Sequence, residues 1–131
     1  LITRDPVFIP VYMSSVAAVT ADKFASELGV FDEPRYLWGM KKVRPGTSGA
    51  VSPLGTLASL SGALIIGATS IPLLGLSVET AFYMSLIGFL GSFADSIVGI
   101  AEEKGIGNKH TSNLICAAAS AVISYMFLRV V

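Results

Sequence analysis

A chain of 131 residues carrying nine Lys/Arg and nine Asp/Glu has a formal net charge of zero, so no bulk field recruits nucleic acid or an acidic partner. Hydrophobic residues make up 53% and charged residues 14%, against roughly 25% charged in a soluble domain, and the mean hydropathy is +0.71. These values exclude an ordinary soluble fold and a disordered chain, and one cysteine excludes an internal disulfide scaffold.

The charges leave three empty runs, residues 45–78, 80–94 and 111–128, and about 20 apolar residues suffice for one helical crossing of a bilayer. The spacing predicts an all-α integral membrane protein of about four transmembrane helices, forming a single transmembrane domain over residues 1–131. Pro6 to Phe31 is the first apolar segment, with Asp22, Lys23 and Glu27 in its second half. A polar loop from Asp32 to Gly49 carries Arg35, Lys41, Lys42 and Arg44 and ends in Pro45-Gly46-Thr47-Ser48-Gly49. Val51 to about Ser70 is the second helix, with Pro53 in its first turn, where a missing N–H costs nothing. Ile71, Pro72 and Gly75 then predict a break. Ser77 to about Ala101 is the third helix, Glu102 to Lys109 a second polar loop, and Thr111 to Val130 the fourth helix. Strands are excluded because an open sheet leaves backbone groups unpaired in lipid.

Four Lys/Arg within ten residues place the first loop in the cytoplasm by the positive-inside tendency. Lys104 and Lys109 return to that side two crossings later, so both polar loops face one compartment. The expected location is a multi-pass membrane protein, in the cell membrane of a prokaryote. The chain opens on Leu1 without a signal-peptide pattern, which reads either as processing or as part of a longer chain. Cys116, among alanines, reads as a small buried hydrophobe.

On the first helix Ser15, Asp22, Ser26 and Gly29 share a face, with Lys23 and Glu27 on the neighbouring strip. On the third, Gly88, Gly91, Ser92, Asp95 and Gly99 form one stripe with Ser96 beside it. Small residues permit close helix approach, and a carboxylate at membrane depth faces a cavity, a partner or an ion. Two carboxylates among hydroxyl and carbonyl oxygens suit Mg²⁺, which takes one or two protein carboxylates together with substrate phosphates. Two plainer readings stay open: Lys23 and Glu27 as an interfacial ion pair, and Asp95 as a headgroup-layer residue. The basic loop and its Gly-hydroxyl turn, opening a helix N-terminus, suit an anion. Topology and anionic-lipid contact explain the same charges. The turn lacks the Gly-Lys-Ser/Thr ending of a P-loop. Asn108 and Asn113 read either as phosphate or sugar contacts or as helix caps, and the lone His110 as interfacial.

Several segments together resemble a known family. They are Ala21-Asp22-Lys23-Phe24-Ala25-Ser26-Glu27-Leu28-Gly29, Pro34-Arg35, Val43 to Gly46 with Ser48-Gly49-Ala50-Val51-Ser52, Gly55-Thr56 with Ala58-Ser59, and Gly91-Ser92 with Asp95-Ser96 and Gly99. In this order they resemble the integral-membrane family catalogued as domain of unknown function ninety-two, which includes the phytyl-phosphate kinases of plants. The chain departs from the family pattern at Lys23 and at Ser48-Gly49-Ala50, and family members are usually longer, so it is similar to their C-terminal, motif-bearing part. The resemblance implies a membrane-bound kinase passing a phosphoryl group from a nucleoside triphosphate, CTP by analogy, to a phytyl- or geranylgeranyl-type isoprenoid phosphate with Mg²⁺ as cofactor. It implies Asp22 and Asp95 as metal ligands and Glu27 as a positioning acid in the catalytic set. Substrate and nucleotide contacts would come from Ser26, Arg35, Lys42, Arg44, Thr47, Ser48, Gly49, Ser52, Ser96, Asn108 and Asn113, and the prenyl tail would lie along the glycine stripe. Membrane lipid is the other expected partner. Two rivals remain open: a transporter or permease using Asp22 and Asp95, and a non-catalytic subunit or homo-oligomer packing through small-residue faces.

Overall fold

The computed structural model describes residues 5–31 and 49–131. It contains α1 (Phe8–Gly29), α2 (Pro53–Leu74), α3 (Val78–Glu103) and α4 (Lys109–Val130) in an up-down-up-down order. By length and composition α2, α3 and α4 can each cross a membrane. α1 has 22 residues, roughly 33 Å at 1.5 Å per residue, and so matches their depth. Its charges Asp22, Lys23 and Glu27 all lie in the last two turns. α1 and α3 form the central pair, each touching both outer helices, while α2 and α4 do not meet.

Local sequence sets the boundaries. Ser52 caps α2, its Oγ accepting from the Gly55 N–H at 3.0 Å, and Pro53 follows as the first helical residue. The break expected at Ile71, Pro72 and Gly75 falls at the last of these: α2 runs past Ser70 to Leu74 with Pro72 inside its final turn, and α3 opens at Val78. A proline this late removes one donor from the last turn only, and the helix closes one residue beyond Leu74 at Gly75, whose left-handed φ of 67° lets its N–H reach the Ile71 carbonyl. Ser77 caps α3 through the Thr80 N–H. α4 starts at Lys109, two residues earlier than expected, because Asn108 Oδ1 accepts from the N–H groups of His110 and Thr111.

The interior is built from small residues. Ala17, Ala18, Ala21 and Ala63 are fully enclosed, as are Ser14, Ser112, Ser120 and Ser124, and the larger apolar chains Leu57, Leu73, Leu114 and Met126 point outward. This inverts a soluble core, as lipid requires: tails solvate leucine as well as protein does, so helices associate through close backbone approach and interhelical hydrogen bonds. Ser14 Oγ lies 2.9 Å from Ser124 Oγ, Ser15 Oγ donates to the Ala117 carbonyl at 2.9 Å, and Ser59 Oγ lies 2.9 Å from Ser92 Oγ. The glycine stripe of α3 faces this seam. A Cβ on Gly88 would stand 2.6 Å from Ala17 Cβ, and one on Gly91 would collide with Ser120 Oγ. At Gly88 and Gly91 the stripe is therefore filled by α1 and α4.

Candidate functional site

The C-terminal ends of α1 and α3 and the N-terminal ends of α2 and α4 meet at one end of the bundle. There they enclose a cavity of about 250 Å³. Asp22 enters it from α1 and Asp95 from α3, only 5% and 3% exposed. Both face Lys109, the first residue of α4: Nζ stands 2.6 Å from Asp95 Oδ2 and 3.5 Å from Asp22 Oδ2. The ammonium offsets much of the cost of placing carboxylates at this depth, about 2.5–3.5 kcal/mol for an aspartate at a helix centre. One ammonium is thus shared between two buried carboxyl groups. Asp95 Oδ1 is buried with no hydrogen-bond partner among the described residues.

Small and hydroxyl-bearing residues complete the wall. Ser26 and Gly29 follow Asp22 along α1, Ser52, Gly55 and Thr56 contribute the first turn of α2, and Ser96 lies beside Asp95. Some of these hydroxyls already have partners: Ser26 Oγ donates to the Asp22 carbonyl at 2.6 Å and Thr56 Oγ1 to the Ser52 carbonyl at 2.8 Å. Gly49 closes the rim at φ 79°, where a Cβ would stand 2.6 Å from the Ser96 carbonyl oxygen and 2.8 Å from the Ile100 nitrogen. Only glycine lets the chain lie this close to α3 in a left-handed conformation.

Of the residues expected from sequence to form a site, Asp22, Ser26, Gly49, Ser52, Asp95 and Ser96 line this one cavity. Glu27 does not; it is exposed on the outer face of α1, and it forms no ion pair with Lys23 among the described residues. Asn108 is occupied as the α4 cap, and Asn113 lies further along α4, off the cavity wall. Arg35, Lys42, Arg44, Thr47 and Ser48 fall outside the described residues. Lys109 is the residue that sequence reasoning placed in a loop and not in the site. The signal was available: it is the sole cation at the start of a helix otherwise uncharged until Arg129.

The donor set meets the minimum for a hard divalent cation. Among the described residues no group of three or more His, Cys, Asp or Glu forms, so a closed protein cage is absent there. Two convergent carboxylates, one with an unpartnered oxygen, fit the open arrangement of Mg²⁺, which completes its shell with water and phosphate oxygens.

The model of the integral membrane protein family DUF92 matches residues 1–127. An uncharacterized membrane protein of Methanocaldococcus jannaschii is 38% identical over 118 residues, covering 88% of this chain and 49% of its own length. Protein PGR of Arabidopsis thaliana is 32% identical over 97 residues, 63% of this chain and 33% of that protein. The chain thus spans about half the length of the first relative and a third of the second. No solved structure matches it.

Proposed function

The chain belongs to the DUF92 family of integral membrane proteins, and from that premise we propose that it is the site-bearing part of a membrane kinase. In this reading the enzyme transfers the terminal phosphoryl group of a nucleoside triphosphate, CTP by analogy, to an isoprenoid monophosphate. An oxygen of the acceptor phosphate attacks the γ-phosphorus, the bond between γ-phosphorus and the β–γ bridging oxygen breaks, and the products are a nucleoside diphosphate and the isoprenoid diphosphate. The acceptor is already largely ionised at neutral pH, so no strong general base is needed, and the work is positioning and charge neutralisation.

The observation that carries this reading is the convergence of Asp22, Asp95 and Lys109 in a hydroxyl-lined cavity at a single end of the bundle. Asp22 and Asp95 would hold Mg²⁺, which neutralises phosphate oxygens when bound. Ser52, Thr56 and Ser96 would offer hydroxyls to phosphate, and the α2 N-terminus favours an anion through its dipole. Glycines at 29, 49 and 55 keep the backbone close to whatever occupies the cavity. With the seam below closed by Ala17 and Ser120, an acceptor presents its phosphate from the open end and leaves its tail in lipid.

The test is phosphoryl transfer by the full-length protein in lipid nanodiscs, with terminally labelled CTP and phytyl or geranylgeranyl phosphate. Residues supporting a metal from one shell further out are worth 10–100-fold, so Asp95→Asn, which removes a direct ligand, is expected to lose at least about a hundredfold. Transfer to no isoprenoid phosphate from any nucleotide, or an unchanged rate in Asp95→Asn, would refute the reading. Liposome flux dependent on Asp22 or Asp95 without nucleotide consumption would establish the permease instead.

A further inference from the structure

Lys109 holds the place that a cation shared by Asp22 and Asp95 must take. Its Nζ is the point on which the two buried carboxylates converge, at 2.6 and 3.5 Å, so a divalent ion contacting both cannot enter while the ammonium stays. The two sides of this contact differ in freedom. The carboxylates are enclosed between the C-terminal parts of α1 and α3, at 8% and 4% side-chain exposure, while the Lys109 side chain is 45% exposed. Lys109 also opens its helix, directly after a turn in which Gly105 and Gly107 take φ of 83° and 78°. A four-carbon stem at such a position can swing its ammonium toward the cavity mouth without moving α4.

From these features we infer that Lys109 is a tethered counter-cation that exchanges with a divalent metal at Asp22 and Asp95. Three observations bear on it independently of the chemistry performed. Two buried carboxyl groups share one ammonium, Asp95 is buried with its Oδ1 unpartnered among the described residues, and the Lys109 side chain is half exposed where its partners are enclosed. Exchange avoids an uncompensated carboxylate pair, which would be costly at this depth, and it frees a cation at the moment a metal enters. The released ammonium then lies at the mouth, where a phosphate bound to that metal presents its remaining charge. Lys109 thereby acts as a positioning residue: it lowers the affinity for metal alone and raises it for metal with phosphate. The inference rests on the metal assignment made above for the kinase, and goes beyond it by coupling metal and phosphate through one side chain.

The experiment measures Mn²⁺ binding by electron paramagnetic resonance to the full-length protein in nanodiscs, with no nucleotide or acceptor and then with inorganic pyrophosphate added. Lys109→Met, which keeps the stem and loses the charge, is expected to bind Mn²⁺ alone at least about tenfold more tightly than the unsubstituted protein, equivalent to about 1.4 kcal/mol. It is expected to lose most of the tightening that pyrophosphate gives the unsubstituted protein. Lys109→Arg guards against a folding defect: it keeps the charge, and its planar fork grips carboxylates more firmly, so Mn²⁺ alone binds more weakly while the size-exclusion profile is unchanged. Equal Mn²⁺ affinity in all three proteins, with binding still abolished by Asp95→Asn, overturns the exchange and leaves the metal site standing. Absence of Mn²⁺ binding with and without pyrophosphate overturns both.

Discussion

Gly88→Ala adds one methyl where α3 lies against Ala17 and Ala18 of α1. The new Cβ would stand 2.6 Å from Ala17 Cβ, 3.0 Å from Ala18 N and 3.1 Å from the Ala17 carbonyl carbon. Carbon pairs settle at about 3.5–4.0 Å, so α3 has to retreat by roughly 1 Å, and two of the three obstacles are backbone that cannot rotate away. A gap of that size forfeits roughly a quarter to a half of each contact it opens. The expected cost falls in the range for overpacked sites, about 1–3 kcal/mol. Asp95 lies seven residues on, about 10 Å along the same helix, so the retreat also separates it from Lys109 and Asp22. Unfolding in bicelles, followed by steric trapping, measures the stability, with Leu90→Ala as the control on the outward face of α3, where 59% of the residue is exposed. Gly88→Ala indistinguishable from Leu90→Ala, or more stable, would refute the closed seam.

Other outcomes follow from single contacts. A double-mutant cycle of Ser59→Ala and Ser92→Ala, whose hydroxyls are 2.9 Å apart, should return a coupling of about 0.6 kcal/mol, the average for interhelical hydrogen bonds in a bilayer; zero coupling removes the bond. Asn108→Ala should cost about 1 kcal/mol through loss of the α4 cap and leave Mn²⁺ affinity unchanged; a loss of affinity with stability retained would show Asn108 to be a ligand contact. Sidedness is measured by cysteines at Ile106 and Leu73, both exposed at opposite ends of the bundle. An impermeant maleimide should label Ile106→Cys only in inside-out vesicles and Leu73→Cys only in right-side-out ones, and the reverse pattern would overturn the cytoplasmic assignment of the polar loops.

The helical architecture and the meeting of Asp22 with Asp95 were legible because both follow from cost. A charge-free run of this length has few homes outside lipid, and an acid among glycines and serines at that depth needs company. Lys109 escaped because a cation at a helix boundary reads as loop until the cap is known, and the cap depends on whether Asn108 turns inward to the backbone. Pro72 by itself sets the break too early for a related reason: a proline signals a break in any helix interior, but its penalty shrinks within the last turn, where Gly75 can close the end. The glycine stripe was legible as a seam, and at Gly88 and Gly91 that seam is filled by Ala17 and Ser120. Spacing alone cannot distinguish small residues that make room for a ligand from small residues that admit Ala17 and Ser120.

Cys116 sits fully enclosed between its helix and the rest of the bundle, and it is the chain's one thiol. Its modification by a lipid-soluble alkylating reagent therefore clocks the departure of α4 from its neighbours. At low reagent the rate reports the equilibrium between docked and undocked helix, and at high reagent it reports how often undocking occurs. The native sequence thus carries its own kinetic reporter, positioned on the same helix whose first residue contacts both buried acids.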